Sequence, residues 1–227
     1  MPGSDRAQAE DILEERVISQ AVISRLPRYY RYLGELIDEG VERISSQELS
    51  RRMNVTASQI RQDFNNFGGF GQQGYGYNTG YLYNEIAKIL GLDHEHTMVL
   101  VGVGNLGQAI LGYMNFKRRG FVFRAAFDIR EEMIGRRIGS VQVYDLKELE
   151  AYIRKEKIEI AVLTLPREPA VNVAQTLCRG GIRAIWNFAH VDLQVPEGVQ
   201  VENVHLSESL MKLSYRITDQ EGNVHEQ

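Results

Sequence analysis

The sequence predicts an α/β chain in two parts: an N-terminal winged helix-turn-helix domain, and a C-terminal Rossmann-like, doubly wound parallel sheet that ends in a helix. Three observations carry that expectation. An apolar, β-branched run from Met98 to Val101 enters a Gly-x-Gly-x-x-Gly turn at Gly102, Gly104 and Gly107 and leaves as a helix. Ahead of it, a pair of short capped helices joined by a tight turn leads into a glycine- and aromatic-rich hairpin. Beyond it, apolar strands alternate with helical segments, as in a parallel sheet covered on both faces.

Composition bounds the class. The 227 residues, 43% of them hydrophobic, suffice for one large or two modest domains. Five prolines and no low-complexity tract argue against disorder. No apolar run of about eighteen residues occurs and the first residues are acidic and polar, so neither a membrane span nor a secretory leader is expected. Cys178, the one cysteine, can form no internal disulfide and lies in a helical context that suits a small buried residue better than a nucleophile. Together these features point to a cytoplasmic protein. A net charge of −4 gives no global attraction to nucleic acid, so DNA contact must come from a local face.

Residues 1–18 read as a charged lead-in. Ser24 is a candidate N-cap for a helix with Pro27 in its first turn, and Tyr30, Leu33, Leu36 and Ile37 form an apolar stripe that stops near Gly40. Ser45 and Glu48 stand at capping-box spacing, and Thr56 with Gln59 repeats it after an Asn54-Val55 turn. In a helix-turn-helix the second helix reads DNA, so Ser58, Gln59, Arg61 and Gln62 are its candidate contacts. Arg25, Arg31 and Arg52 are candidate basic contacts, and Ser45 and Thr56 candidate hydroxyl contacts, of the same interface. An αα-hairpin with a solvated face fits these helices equally well; the segment Gly68 to Tyr77 tips the reading toward a wing. Gln72, Gln73 and Tyr75 lie near its tip, although a linker is the alternative there. A further helix runs from Leu82 to Leu90 and ends at Gly91. His94 and His96 follow without four-ligand spacing, so no metal is expected.

In the glycine turn, Gly102 makes the tight bend, Gly104 lets the backbone approach a pyrophosphate and Gly107 lets helix pack on strand. Val103, Asn105 and Leu106 complete the candidate phosphate loop, whose helix N-terminus offers free N–H groups. The next strand ends on Asp128, about twenty residues past the last glycine, where a carboxylate accepts from a ribose 2′-OH and favours NAD(H) over NADP(H). Arg130, two residues on, could blunt that preference. Ligands of such sheets sit beyond the carboxyl ends of the strands, so Thr164, Pro166, Asn187, Phe188 and, from the helix side, Tyr113 are expected around the nicotinamide. The last helix, Leu206 to Arg216, has one apolar stripe and either covers its own sheet or docks on a partner subunit. The expected organisation is residues 1–91 for the winged helix, 92–205 for the NAD(H)-binding sheet and 206–227 for the terminal helix and tail.

A dehydrogenase needs room for a substrate and an acid/base beside the nicotinamide. The connections here are short, and only Tyr113 and His190 could donate a proton, so a sensor of NADH and NAD⁺ without catalytic residues accounts for the chain better. The alternatives are a small NAD-dependent oxidoreductase with an N-terminal lid, and a scaffold for another adenine nucleotide such as CoA.

The segments Arg25-Leu26-Pro27-x-Tyr29-x-Arg31, Ile60-Arg61-Gln62-Asp63-Phe64, the glycine-rich run Phe67 to Tyr77, Val101 to Gly107 and Phe127-Asp128 resemble the Rex family of redox-sensing transcriptional repressors. The likeness runs from about Ser19 to Tyr215. It implies a homodimer on a palindromic operator that represses genes of NADH reoxidation and is released when NADH is high relative to NAD⁺. It also implies a C-terminal helix swapped between subunits, near the partner's nicotinamide. Two departures stand out. Gln72 and Gln73 occupy positions that are basic in many relatives, and His205 and Leu206 replace an acid and an aromatic coupled to the switch through Arg31 and Tyr113. His205 is therefore expected to make the NADH response weaker or pH-dependent. A His205→Asp variant should show a different NADH-driven release from DNA at about pH 6 and 8; an unchanged response rules the idea out.

Overall fold

The computed structural model describes residues 19–65, 71–72 and 76–224, and the chain divides into two units at the Asp93–His94 step. The first unit begins with one helical turn, α1 (Gln20–Ile23), capped by Ser19, and passes at once into α2 (Leu26–Asp38). Ser24 consequently closes α1, donating to the Ala21 carbonyl, instead of capping α2. Arg25 takes the N-cap position with helical backbone angles, and Pro27 sits in the first turn, where no acceptor awaits its missing N–H. Leu26, Tyr29, Leu33 and Leu36 recur at three- and four-residue steps and are buried.

Strand β1 (Arg43–Ile44), α3 (Ser46–Met53) and α4 (Ala57–Asn65) follow. Ser45 Oγ accepts from Glu48 N at 3.1 Å and Thr56 Oγ1 from Gln59 N at 3.2 Å, so both helices start where cap spacing predicts. Asn54 ends α3 in the left-handed region, φ 52° and ψ 44°, which turns the chain into α4. Strands β2 (Gly71–Gln72) and β3 (Gly76–Asn78) pair antiparallel, and β3 also pairs with β1 in a three-stranded sheet of order β1-β3-β2. A strand as short as β1 carries no periodicity, and the sequence reading misses it. Helix α5 (Thr79–Ile89) starts ahead of the expected Leu82 because Asn78 caps it, accepting from Tyr81 N at 2.8 Å. One core joins these helices, built from Leu26, Tyr29, Leu33 and Leu36 of α2 with Leu49, Met53, Ile60, Phe64, Leu82 and Ile86.

The second unit runs β4 (His96–Val101), α6 (Asn105–Leu111), α7 (Asn115–Arg118), β5 (Phe121–Asp128), β6 (Arg137–Ile138), β7 (Val141–Asp145), α8 (Leu149–Glu156), β8 (Ile160–Leu163), α9 (Arg167–Gly180), β9 (Ala184–Asn187), β10 (Gln200–Asn203) and α10 (Leu206–Val224). Its seven-stranded sheet has the order β10-β9-β8-β4-β5-β7-β6. Every neighbouring pair is parallel except β6 with β7. The short link through Gly139, at φ +58°, permits only a hairpin at that edge. Alternate residues serve the two faces. Val99, Val101, Phe127, Ala161 and Leu163 pack with Leu149, Ile153, Val173 and Leu177 on one side, and Met98, Leu100, Ala126 and Val162 with Val103 and Ile110 on the other.

From β4 the chain winds outward through β5 and β7, then returns to β8 on the opposite side of β4. The strand order therefore reverses between β4 and β8, and the carboxyl ends of these strands flank the crevice such sheets use for ligands. On α10, Leu206, Leu210, Met211, Leu213, Tyr215 and Ile217 are each more than half exposed within the single chain. No described helix is long and apolar enough to cross a membrane.

A Cβ on Gly107 would lie 2.2 Å from the Gly102 carbonyl oxygen, a backbone atom that cannot rotate away, whereas one on Gly104 would meet nothing within 4 Å. Gly107→Ala is expected to lower unfolding free energy by about 1–3 kcal/mol and Gly104→Ala by less than about 0.5 kcal/mol. Urea denaturation compares them, and equal effects would contradict this packing.

Candidate nucleotide site and reading helix

The turn after β4 is shaped by its glycines and by the loop that follows β8. Gly102 has φ +99°, and a Cβ there would come within 2.8 Å of the Thr164 carbonyl oxygen, so no other residue fits both the angle and the space. Thr164 Oγ1 donates to the Gly102 carbonyl at 2.6 Å, which ties the β8 loop to the turn. Gly104 is the N-cap of α6 and brings no capping side chain. The first N–H groups of α6 lack intrahelical acceptors, and the helix dipole adds positive character at the same place. Free donors, a positive end and open space beside Gly104 suit a phosphate.

Asp128 closes β5 and is only 6% exposed. Its Oδ2 accepts from Val103 N at 2.7 Å, which fastens the glycine turn to the end of β5. Arg130 folds back over the carboxylate: its backbone N and Nε donate to Oδ1 at 3.0 Å each, and Nη2 donates to Oδ2 and to the Val103 carbonyl at 2.9 Å each. Burial pushes the Asp128 carboxyl up, but the bonds from Arg130 and Val103 outweigh it and bring the pKa down to about 2. The group is thus an anion at neutral pH, at the strand end where a ribose hydroxyl is accepted. Gln108, which the sequence reading passed over, donates to the Val103 carbonyl at 3.1 Å from one turn into α6.

The structure gathers Gly102 to Gly107, Asp128, Arg130 and Thr164 at the carboxyl edge of β4, β5 and β8, with Pro166 as the N-cap of α9. Asn187 is on the same edge but wholly buried, and its amide is engaged by its own loop: it donates to Val191 O and Asn203 Oδ1 at 2.8 Å and accepts from Ala189 N at 3.0 Å. Phe188 packs on Trp186 with ring centroids 4.6 Å apart. Tyr113 is half exposed, packs edge-on against Phe116 at 4.9 Å and accepts from Asn115 Nδ2 at 3.1 Å. His190 and His205, which follow β9 and β10, stack with centroids 5.9 Å apart. His96 Nδ1 lies 3.0 Å from Glu159 Oε2, and among the described residues no group of three or more His, Cys, Asp or Glu could hold a metal. Burial pushes the Cys178 thiol up, which lowers its thiolate fraction.

In the first unit, α4 presents Ser58, Arg61 and Gln62 at the surface and turns Asp63 inward, 0% exposed. Arg25 grips that carboxylate with Nε and Nη2 at 2.7 Å each, Tyr29 Oη donates to it at 2.7 Å and Gln59 Nε2 at 2.8 Å. Burial opposes the charge, yet these bonds outweigh it and hold the Asp63 carboxyl below its ordinary value. The Arg25 guanidinium, expected from the sequence at DNA, thus fastens α4 to the start of α2, and the Gln59 amide, also expected there, braces the same carboxylate from within α4. The legible signal was Asp63 itself, an acid on the apolar Ile60–Phe64 face. Ser45 and Thr56 serve as caps, Arg61 donates to Ser46 Oγ at 3.1 Å, Arg52 pairs with Glu39 at 3.0 Å and Arg31 lies over the Tyr32 ring at 4.8 Å. Gln72 contributes its backbone to β2, and Gln73 and Tyr75 lie outside the described residues.

Residues 17–65 match the family described as putative DNA-binding protein N-terminus, and residues 93–191 that described as CoA binding domain. The chain is 55% identical over 204 residues to the redox-sensing transcriptional repressor Rex of Clostridioides difficile (strain 630), covering 90% of this chain and 97% of that one. It is 53% identical over 208 residues to the same repressor of Thermoanaerobacter sp. (strain X514), covering 92% and 93%. The crystal structure of RSP in complex with β-NAD⁺ and operator DNA matches with a TM-score of 0.86 at 54% identity, over 90% of this chain and 94% of that one. RSP in complex with β-NADH matches at 0.85 and 49%, over 93% and 99%. A helix-turn-helix unit on the same chain as a dinucleotide-type sheet defines a ligand-responsive transcriptional regulator. The chain belongs to the Rex family of redox-sensing transcriptional repressors.

Asp63→Asn leaves Arg25 without its counter-charge. Because Arg25 is itself 28% exposed, the expected cost at pH 7 is about 2–3 kcal/mol, short of the loss for a fully buried pair. The folded carboxyl lies below its unfolded value near about 4, so its contribution is complete above that pH and lost as the pH falls through the lower folded value. Unfolding free energy measured from about pH 7 to 3 should therefore drop for the parent protein and stay flatter for Asp63→Asn; parallel curves would contradict the clamp.

Proposed function

We propose that this protein is an NADH-responsive transcriptional repressor that binds palindromic operator DNA as a homodimer and leaves it when NADH binds. The observation that carries the reading is the Gly102–Gly107 turn, fastened by Asp128 at the reversal point of the sheet, in a chain that also exposes a reading helix. It is supported by RSP, a Rex-family repressor solved with β-NADH and, separately, with β-NAD⁺ and operator DNA. The relatives are named as transcriptional repressors, which favours a regulator over an oxidoreductase.

In this reading the backbone of Gly102, Val103, Gly104, Asn105, Leu106 and Gly107 receives the pyrophosphate, Asp128 accepts from the adenosine ribose, and Thr164, Pro166 and Tyr113 border the nicotinamide. Ser58, Arg61 and Gln62 read the operator, with Arg31 and Arg52 on its backbone. Asn187 and Phe188 shape the pocket from behind through the bonds and ring contact of their own loop. Residues 1–91 carry DNA binding, 92–205 the nucleotide and 206–227 dimerisation. The exposed apolar stripe of α10 is the surface a swapped helix would bury on a second copy. Operator DNA as partner supports a cytoplasmic location. Control follows from linkage: NADH shifts DNA affinity only by favouring the dimer that cannot bind the operator.

Fluorescence anisotropy of a labelled palindromic operator, titrated with NADH over fixed NAD⁺, is expected to show binding and then release. Arg61→Ala should weaken the operator complex by about tenfold or more while NADH still binds. Asp128→Ala should leave DNA binding in place and require about tenfold more NADH for release. Equal loss of both activities in Asp128→Ala, or steady oxidation of NADH by a small carbonyl compound, would overturn the reading.

A further inference from the structure

We propose that Arg130 makes the adenosine-ribose end of this site accept a 2′-phosphate, so that NADPH binds the repressor alongside NADH. The inference rests on the dinucleotide reading given above. A lone carboxylate at this strand end accepts a ribose 2′-OH and repels a phosphate, and a nearby arginine is the feature that accommodates one. Here the carboxylate is not alone. Asp128 Oδ1 receives the backbone N and Nε of Arg130, and Oδ2 receives Val103 N and Arg130 Nη2. The opposite charges lie 2.9 Å apart, so the field that would turn a phosphate away is largely cancelled at its source.

The guanidinium still has donors to give. Of its five N–H groups, one on Nε goes to Asp128, and Nη2 serves Asp128 and the Val103 carbonyl. Nη1 makes no hydrogen bond among the described residues. The Arg130 side chain is 44% exposed against 6% for Asp128, so Arg130 is the outer member of the pair, and a phosphate borne on the ribose reaches it first. Glu132 acts on the same guanidinium and offsets part of its charge. The expectation is therefore near parity between the two cofactors, not a preference for NADPH.

The test is calorimetric titration of the full-length protein with NADH and with NADPH, for the parent and for Arg130→Ala, with thermal unfolding of the variant as a check on folding. The parent is expected to bind NADPH within about tenfold of NADH, and Arg130→Ala to lose at least about tenfold more affinity for NADPH than for NADH. NADH binding with NADPH weaker by more than that sinks the inference and leaves the repressor reading standing. Equal weakening of both cofactors in Arg130→Ala also overturns it, since that is the result if Arg130 only props the carboxylate. Failure of the parent to bind either cofactor overturns both readings.

Discussion

The hydrogen bond from Val103 N to Asp128, 2.7 Å long and buried, fixes where the glycine turn lies over the end of β5. The nucleotide end of the sheet depends on it. With Val103 held, Gly102 takes its left-handed angle against the Thr164 carbonyl, and Gly107 can press the first turn of α6 onto the Gly102 oxygen. A bulkier residue at either position would push the helix away and take its free N–H groups with it. The anion that anchors the turn is costly to bury, and Arg130 offsets that cost from outside.

The candidate reading helix is secured by the same device in the other unit. Asp63 on α4 is buried among Arg25, Tyr29 and Gln59, as Asp128 is beneath Arg130 and Val103. An arginine-clamped carboxylate is directional where apolar packing is not, so each clamp sets one orientation of the element it holds. In the first unit that element carries Arg61 and Gln62 to the surface. In the second it carries the α6 N-terminus. The parts proposed to meet a ligand are thus the parts held by buried charge, and the apolar cores beneath them supply the bulk of stability.

Much of this was legible in the chain because its signals are local. Cap spacing at Ser45 and Thr56 starts α3 and α4, and the glycine spacing after Val101 defines the phosphate turn, since each depends on residues a few positions apart. What escaped depends on contacts across sequence or on elements too short for a period. The Arg25–Asp63 clamp spans two helices, so the internal partner of a basic side chain near the candidate reading helix is not legible from local spacing. The strand-end position of Asn187 is legible, but the bonds of its amide to the loop from Ala189 to Val191 depend on that loop's fold. The pair β1 and β6 carry no pattern of their own and form because β3 and β7 offer them an edge. The apolar stripe of α10 is legible from its spacing and stands exposed in the single chain, but sequence cannot say what covers it.

A repressor controlled by its nucleotide requires reciprocity between the two ligands. The most direct measurement is the dissociation constant for NADH with and without saturating operator DNA. NADH should bind the DNA complex more weakly, by the same factor by which NADH weakens operator binding. Identical NADH affinity in the two conditions would contradict the coupling, and with it the regulatory role of the site at Asp128.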